Sequence, residues 1–257
     1  MLFSYRNELR RDLIGLPVAG PAFRFGCGIF ETIFFNGSRP CHLDEHVGRL
    51  VNSLRELEIA FQEIDFAETI EGVVKANGLW GQTVRVNIFY PVADEDAPAW
   101  PVVAAAAYLP APKKIYRLDI SPGPRESALC CHKTHNRMDH FLSLRRARQA
   151  GCDEVVLLDR DGFVLEASGS SLLFARDGAF MTPSSPWKLP GIAQRIAQRA
   201  IGMDQKPIHL TDLAGFDHVY LLNSLIGARP AGRIGKWDFP VDWATCDALS
   251  RLIVPLD

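Results

Sequence analysis

The segment Ile29-Phe30-Glu31-Thr32-Ile33-Phe34-Phe35-Asn36-Gly37 is β-branched and aromatic, and it ends in the dipeptide that suits the left-handed angles of a tight turn. It predicts a strand over 29–35. Beyond the turn the period changes: Leu43, Val47, Leu50, Leu54 and Leu57 recur at three- and four-residue steps, which predicts a helix with one inward stripe. Strand-like runs follow over 83–90 and 102–109, so the first part of the chain reads as a small α+β unit.

Pro110-Ala111-Pro112-Lys113-Lys114 has no periodicity, and its prolines favour a stiff, extended connector. We therefore divide the chain into a small N-terminal domain over 1–109, a linker over 110–114 and a larger domain over 115–257. In the second part a helix is expected from His135 to Ala150, ended by Gly151, then a strand over 155–158 and a turn at Asp161-Gly162. Strands from Phe163 and around 172–174, a hairpin at Asp177-Gly178 and a helix starting near Gly191 complete most of it. Hairpin turns join several of these strands, so the sheet is expected to be antiparallel or mixed rather than doubly wound and parallel. The fold class is α+β in two domains.

Lys+Arg 28 against Asp+Glu 30 leaves a net charge of -2, which supplies no electrostatic footprint for nucleic acid or an anionic membrane. Early charges at Arg6, Glu8, Arg10 and Arg11 interrupt any signal-peptide core, and no apolar run is long enough to span a bilayer, so a cytoplasmic location is expected. The six cysteines have no regular spacing and read as reduced thiols. Cys130-Cys131-His132 with His135 lacks a second cluster to complete a four-ligand set, and no metal is expected.

Taken singly, the chemically interesting residues are bland. Lys133 reads as a surface lysine, Arg49 as the i+4 partner of Glu45, and Glu166 as a residue on a solvated strand face. Their order and company change that reading. Gly26-Cys27-Gly28-Ile29-Phe30-Glu31-Thr32, His46-Val47-Gly48-Arg49-Leu50 and Lys133-Thr134-His135-Asn136-Arg137 occur in that sequence. They are followed by the 151–159 run, Gly162-Phe163-Val164-Leu165-Glu166, Thr182-Pro183 and Leu189-Pro190-Gly191-Ile192. Together they resemble the signatures of the class IV aminotransferases, the fold-type IV pyridoxal phosphate enzymes, from about Gly26 to about Gly235. The resemblance implies a D-amino acid aminotransferase-like fold.

By that resemblance Lys133 is the lysine joined to the aldehyde of pyridoxal 5'-phosphate, and its amine, once released, is a general base. Glu166 matches the carboxylate that keeps the cofactor's ring nitrogen protonated, which predicts that it points inward. Gly191, Ile192 and Ala193 open a helix whose unpaired amides suit a phosphate, Arg49 would add a charge-assisted contact, and Asn223 and Ser224 match the second phosphate-binding turn. Arg85, Tyr90 and Arg229 are named as candidates for substrate carboxylates.

Four positions depart from the pattern. Cys27 stands for the usual Asp, Ser171 for an Asn, Ala193-Gln194 for Thr-Arg, and Tyr90-Pro91 for Arg-Gly. The segment Asn223-Ser224-Leu225 followed by Pro230, with Asn136-Arg137, looks most like the aminodeoxychorismate lyases, which form 4-aminobenzoate and pyruvate. An amino acid aminotransferase acting on branched-chain or D-amino acids is the alternative, and a non-catalytic binding protein on the same scaffold is a third. The resemblance also implies a homodimer acting on a small amine or amino acid.

Overall fold

The computed structural model describes residues 1–110 and 113–256, so part of the expected 110–114 linker, residues 111 and 112, lies outside the described residues. Two compact units are distinguished. The first is built from Met1–Pro110 and His132–Asn136 with the last residues of the chain, the second from Arg137–Val254 and the stretch that ends at Cys131.

In the first unit the strands β1 (Leu2–Tyr5), β2 (Glu8–Arg11), β3 (Gly28–Phe35), β4 (Val84–Pro91) and β5 (Val102–Ala107) form an antiparallel sheet in the order β2-β1-β5-β4-β3. Its helices are α1 (Pro21–Phe25), α2 (Leu43–Glu56) and α3 (Phe66–Ala76). The predicted strand over 29–35 and the helix after it are both present. The turn at Asn36 is closed by its own side chain, whose Oδ1 accepts from the amides of Ser38 and Arg39. Because side chains alternate along a strand, Ile29, Ile33 and Phe35 share the face of β3 that packs with Leu50 and Leu54 of α2, and Glu31 belongs to the same set. Glu31 is thereby delivered into an apolar interior.

The edge of the sheet at β3 is covered by residues 133–135. Phe30 N donates to Lys133 O at 2.9 Å, His135 N donates to Gly28 O at 2.9 Å, and Ile29 bridges Thr134. Gly28 is required there, since a Cβ would lie 2.5 Å from Tyr90 O and 2.7 Å from His135 Nδ1.

The second unit holds β6 (Tyr116–Ile120), α4 (Met138–Gln149), β7 (Glu154–Leu158), β8 (Val164–Ala167), β9 (Ser171–Arg176), β10 (Ala179–Pro183), α5 (Ile192–Ile201) and β11 (Asp204–Lys206). It ends with β12 (His218–Asn223), β13 (Gly227–Ile234), β14 (Trp237–Asp238) and α6 (Trp243–Ile253). The sheet runs β11-β10-β9-β12-β13-β6-β7-β8 with β14 on β13, and it is mixed, as expected: β6 is parallel to both β13 and β7, whereas β9 is antiparallel to both β10 and β12. It curls so that β8 returns to β9, where Ala167 N donates to Ser170 O at 2.8 Å. The expected hairpin at Asp177-Gly178 has both residues at positive φ. Helix α4 begins at Met138 rather than His135, because 133–135 is engaged as extended backbone on β3.

Among the described residues no helix is long and apolar enough to cross a membrane. Leu54 has no exposed surface. Leu54→Ala is expected to lower stability by about 2–5 kcal/mol in urea unfolding, the range for emptying a buried leucine site, whereas Leu109→Ala, at a 90% exposed position, is expected to change it by less than about 0.5 kcal/mol.

Candidate functional site

In the first unit Glu31 meets α2. Arg49 Nε and Nη2 donate to its two oxygens at 2.7 and 2.8 Å, and His46 Nδ1 lies 2.8 Å from Oε2. His46 and Arg49 are one helical turn apart and so reach the same carboxylate. Burial alone would push Glu31 up, but the Arg49 guanidinium and the bonds from His46 and Arg49 overcome it and hold the carboxyl at about 2. Burial lowers His46, leaving it neutral; a carboxylate only accepts, so the imidazole proton sits on Nδ1 and Nε2 is a buried acceptor without a partner among the described residues. Arg49 is therefore half-buried and held in a bidentate pair, contrary to its reading as a surface residue on the helix flank.

Lys133 is half-buried, with its carbonyl fixed by β3 and its Nζ 4.4 Å from the centre of the Phe30 ring. Just before it, His132 is buried and its Nδ1 is 3.0 Å from Ser53 Oγ of α2. Among the described residues no group of three His, Cys, Asp or Glu side chains could hold a metal, and no disulfide joins any of the six cysteines.

In the second unit Glu166 is only 4% exposed. The pairing of β7 with β8 shifts at this point, since Leu157 faces Glu166 while Leu158 faces Val164, so Leu165 is an extra residue. Glu166 Oε2 accepts from Leu189 N at 3.3 Å, and Oε1 has no partner among the described residues. Burial raises Glu166; Arg137, Arg125, Lys188 and the Leu189 amide act against it. Arg137 donates to Ser168 O at 3.4 Å, and its Nη1 is likewise buried without a partner among the described residues.

The turn after β8 is gripped from two sides. Glu154 accepts from Ser168 Oγ and from Gly169 N at 3.2 Å, while Asn223 Nδ2 donates to Gly169 O at 3.1 Å and Ser170 Oγ at 3.0 Å. Asn223 Oδ1 accepts from Leu225 N and Ile226 N, so this side chain is committed to holding two turns and leaves Ser224 and backbone amides for any ligand. Gly191 packs against Ser171 Oγ, which brings the start of α5 beside the same turn. Gly191 offers no side-chain cap, so the amides of Ile192, Ala193 and Gln194 have no intrahelical acceptor.

The three substrate candidates fare differently. Tyr90 is 1% exposed and donates to Gln62 O at 2.8 Å within the first unit's core, as its parity with Val84, Val86 and Ile88 along β4 requires. Arg85 is exposed on the opposite parity. Arg229 donates to Ala228 O at 2.9 Å and Ser250 Oγ at 3.4 Å, tying β13 to α6. Glu31, His46, Arg137 and Lys188 received no role from sequence, although period-2 counting from Ile29 places Glu31 inside.

Residues 28–234 match the family model described as amino-transferase class IV. The aminodeoxychorismate lyase of Bacillus subtilis is 26% identical over 84% of this chain and 80% of its own length. The D-alanine aminotransferase of Bacillus licheniformis is 23% identical over 91% and 88%. Among solved structures, the T.th. branched-chain amino acid aminotransferase complexed with N-(5'-phosphopyridoxyl)-L-glutamate is 25% identical with a TM-score of 0.85, covering 98% of this chain and 92% of that one.

Because the folded carboxyl of Glu31 lies at about 2, below its ordinary 4.5, its stabilising contribution is fully present above about pH 4.5 and is lost as pH falls toward 2. Glu31→Gln is expected to be less stable than the wild type at pH 6, with the gap narrowing steadily between pH 4.5 and 2.5 in urea titrations. A gap independent of pH would contradict the pairing.

Proposed function

Because the chain belongs to the class IV aminotransferase family, we propose that this enzyme is an aminodeoxychorismate lyase that uses pyridoxal 5'-phosphate to convert 4-amino-4-deoxychorismate into 4-aminobenzoate and pyruvate. The observation that carries the cofactor assignment is the Glu166 carboxylate, buried with Oε1 lacking a partner among the described residues. A protonated ring nitrogen is the complement of that oxygen, and the uncapped amides at the start of α5 are the complement of a phosphate.

When bound, pyridoxal phosphate supplies an electron sink for negative charge developing at the substrate's amine-bearing carbon. The protein's part is positional. Lys133 would be the residue that holds the aldehyde, and its amine would serve as the base toward the proton on that carbon; pairing of residues 133–135 with β3 fixes the backbone from which it would act. Glu166, in its ionised form, would hold a proton on the ring nitrogen. Gly191, Ile192, Ala193 and Ser224 would receive the phosphate, and Arg49, oriented by Glu31, would add its charge.

The lyase is favoured by Asn136-Arg137 and by the Asn223 turn followed by Pro230, and a lyase is among the relatives. A second reading, amino acid aminotransferase acting on branched-chain or D-amino acids, is favoured by the D-alanine aminotransferase relative and by the branched-chain aminotransferase structure. The purified protein is expected to absorb near ~420 nm, and Lys133→Ala to abolish the band and lower turnover by roughly 10²–10⁴-fold. With aminodeoxychorismate, 4-aminobenzoate is expected. If none forms while alanine or a branched-chain amino acid converts the cofactor to its amine form, the aminotransferase reading replaces the lyase.

A further inference from the structure

Lys188 lies in the loop leading into α5, where a lysine is ordinarily exposed. Its side chain is buried, at 8% exposure. Two of the three N–H groups of its ammonium are committed, one to Pro183 O at 2.9 Å and one to Gln194 Oε1 at 2.9 Å. The very next amide, that of Leu189, donates to Glu166, and the ammonium itself lies within electrostatic reach of that carboxylate. Burying an ammonium is costly unless a partner compensates, so its retention here calls for a task that a neutral side chain would not serve.

Gln194 defines that task. It occupies the position where the family pattern has an arginine, and its oxygen accepts from Lys188, six residues earlier. The cation absent from position 194 is present on the side chain bonded to it.

We propose that Lys188 is a positioning residue of the cofactor site, whose ammonium, fixed by Gln194 and the Pro183 carbonyl, replaces that arginine, keeps Glu166 ionised and locks the first turn of α5 in place for a phosphate. The inference rests on the role given to Glu166 and α5 above. Arg137 and Arg125 are the other cations that act on Glu166, and they persist in every variant below. Burial brings Lys188 down to about 8 against the pull of Glu166, so its charge is present at neutral pH and fades as pH rises through 8.

Lys188→Met, Lys188→Arg and the double variant Lys188→Met/Gln194→Arg distinguish charge from packing. Two quantities are read on the full-length chain: the midpoint of the Glu166 carboxyl resonance in 13C-glutamate-labelled protein, assigned with Glu166→Gln, and the dissociation constant for pyridoxal phosphate. Lys188→Met is expected to raise the midpoint by about one unit or more and to weaken cofactor binding about tenfold, as loss of a nearby cation requires. Lys188→Arg and the double variant are expected to return both to within about threefold of wild type.

A Lys188→Met protein whose midpoint and affinity match the wild type overturns the inference, as does a folded double variant with no recovery. Should Lys188→Met fail to fold, Gln194→Ala, which releases the ammonium without deleting it, is read in the same way, and unchanged affinity overturns it. Wild-type protein that takes up no pyridoxal phosphate overturns both this inference and the functional reading; uptake unaffected by these changes overturns this inference alone.

Discussion

A carboxylate removed from water must be compensated inside the protein, and the second unit is arranged around that requirement at Glu166. The irregular pairing of β7 with β8 sets it on a strand whose four residues are all buried. One oxygen is given a backbone amide from Leu189, and cationic side chains oppose the cost of burial. The other oxygen is left without a protein partner among the described residues. The same segment that supplies the Leu189 amide runs on into α5 with its uncapped amides.

Glu31 shows how the same side chain is treated when nothing further is asked of it. It is as deeply buried, yet both its oxygens are taken by Arg49 and one of them also by His46, and its carboxyl is held at about 2. Glu166 is instead pushed upward by burial and retains an open oxygen. A satisfied buried network rigidifies, while an unsatisfied one is tolerated where a ligand completes it. The contrast separates a carboxylate that orients a neighbouring arginine from one that keeps an oxygen without a partner among the described residues.

Much of this was legible in the chain itself. The strand through Phe35, the stripe of α2 and the Asp177-Gly178 hairpin rest on short-range pattern, and each is present at nearly the expected position. The β1–β2 hairpin was not, because its turn places Arg6 and Asn7 rather than glycine at positive φ and its second strand is wholly exposed. Helix α3 carried a usable signal, Asp65 capping the amide of Glu68 ahead of Phe66, Ile70, Val73 and Val74. The burial of Lys188 was not legible as pattern, because its acceptors, the Pro183 carbonyl and Gln194 Oε1, are brought to it only when β10 and α5 take their places.

Parity along β3 and β4 also decides what surrounds Lys133. The residues of even number on β3 and odd number on β4 lie opposite the helices, where Phe30 pairs with Phe89 and Thr32 with Asn87. Phe30 lies against Lys133 Nζ on one side and stacks on Phe89 on the other, and His135 closes on both rings. This wall beside the amine is aromatic and largely apolar. Proton removal at the amine-bearing carbon is common to both reactions, so neither this wall nor Lys133 separates lyase from aminotransferase. Discrimination must reside in groups that recognise what differs between the substrates, their carboxylates, and the Tyr90 hydroxyl already donates to Gln62 O.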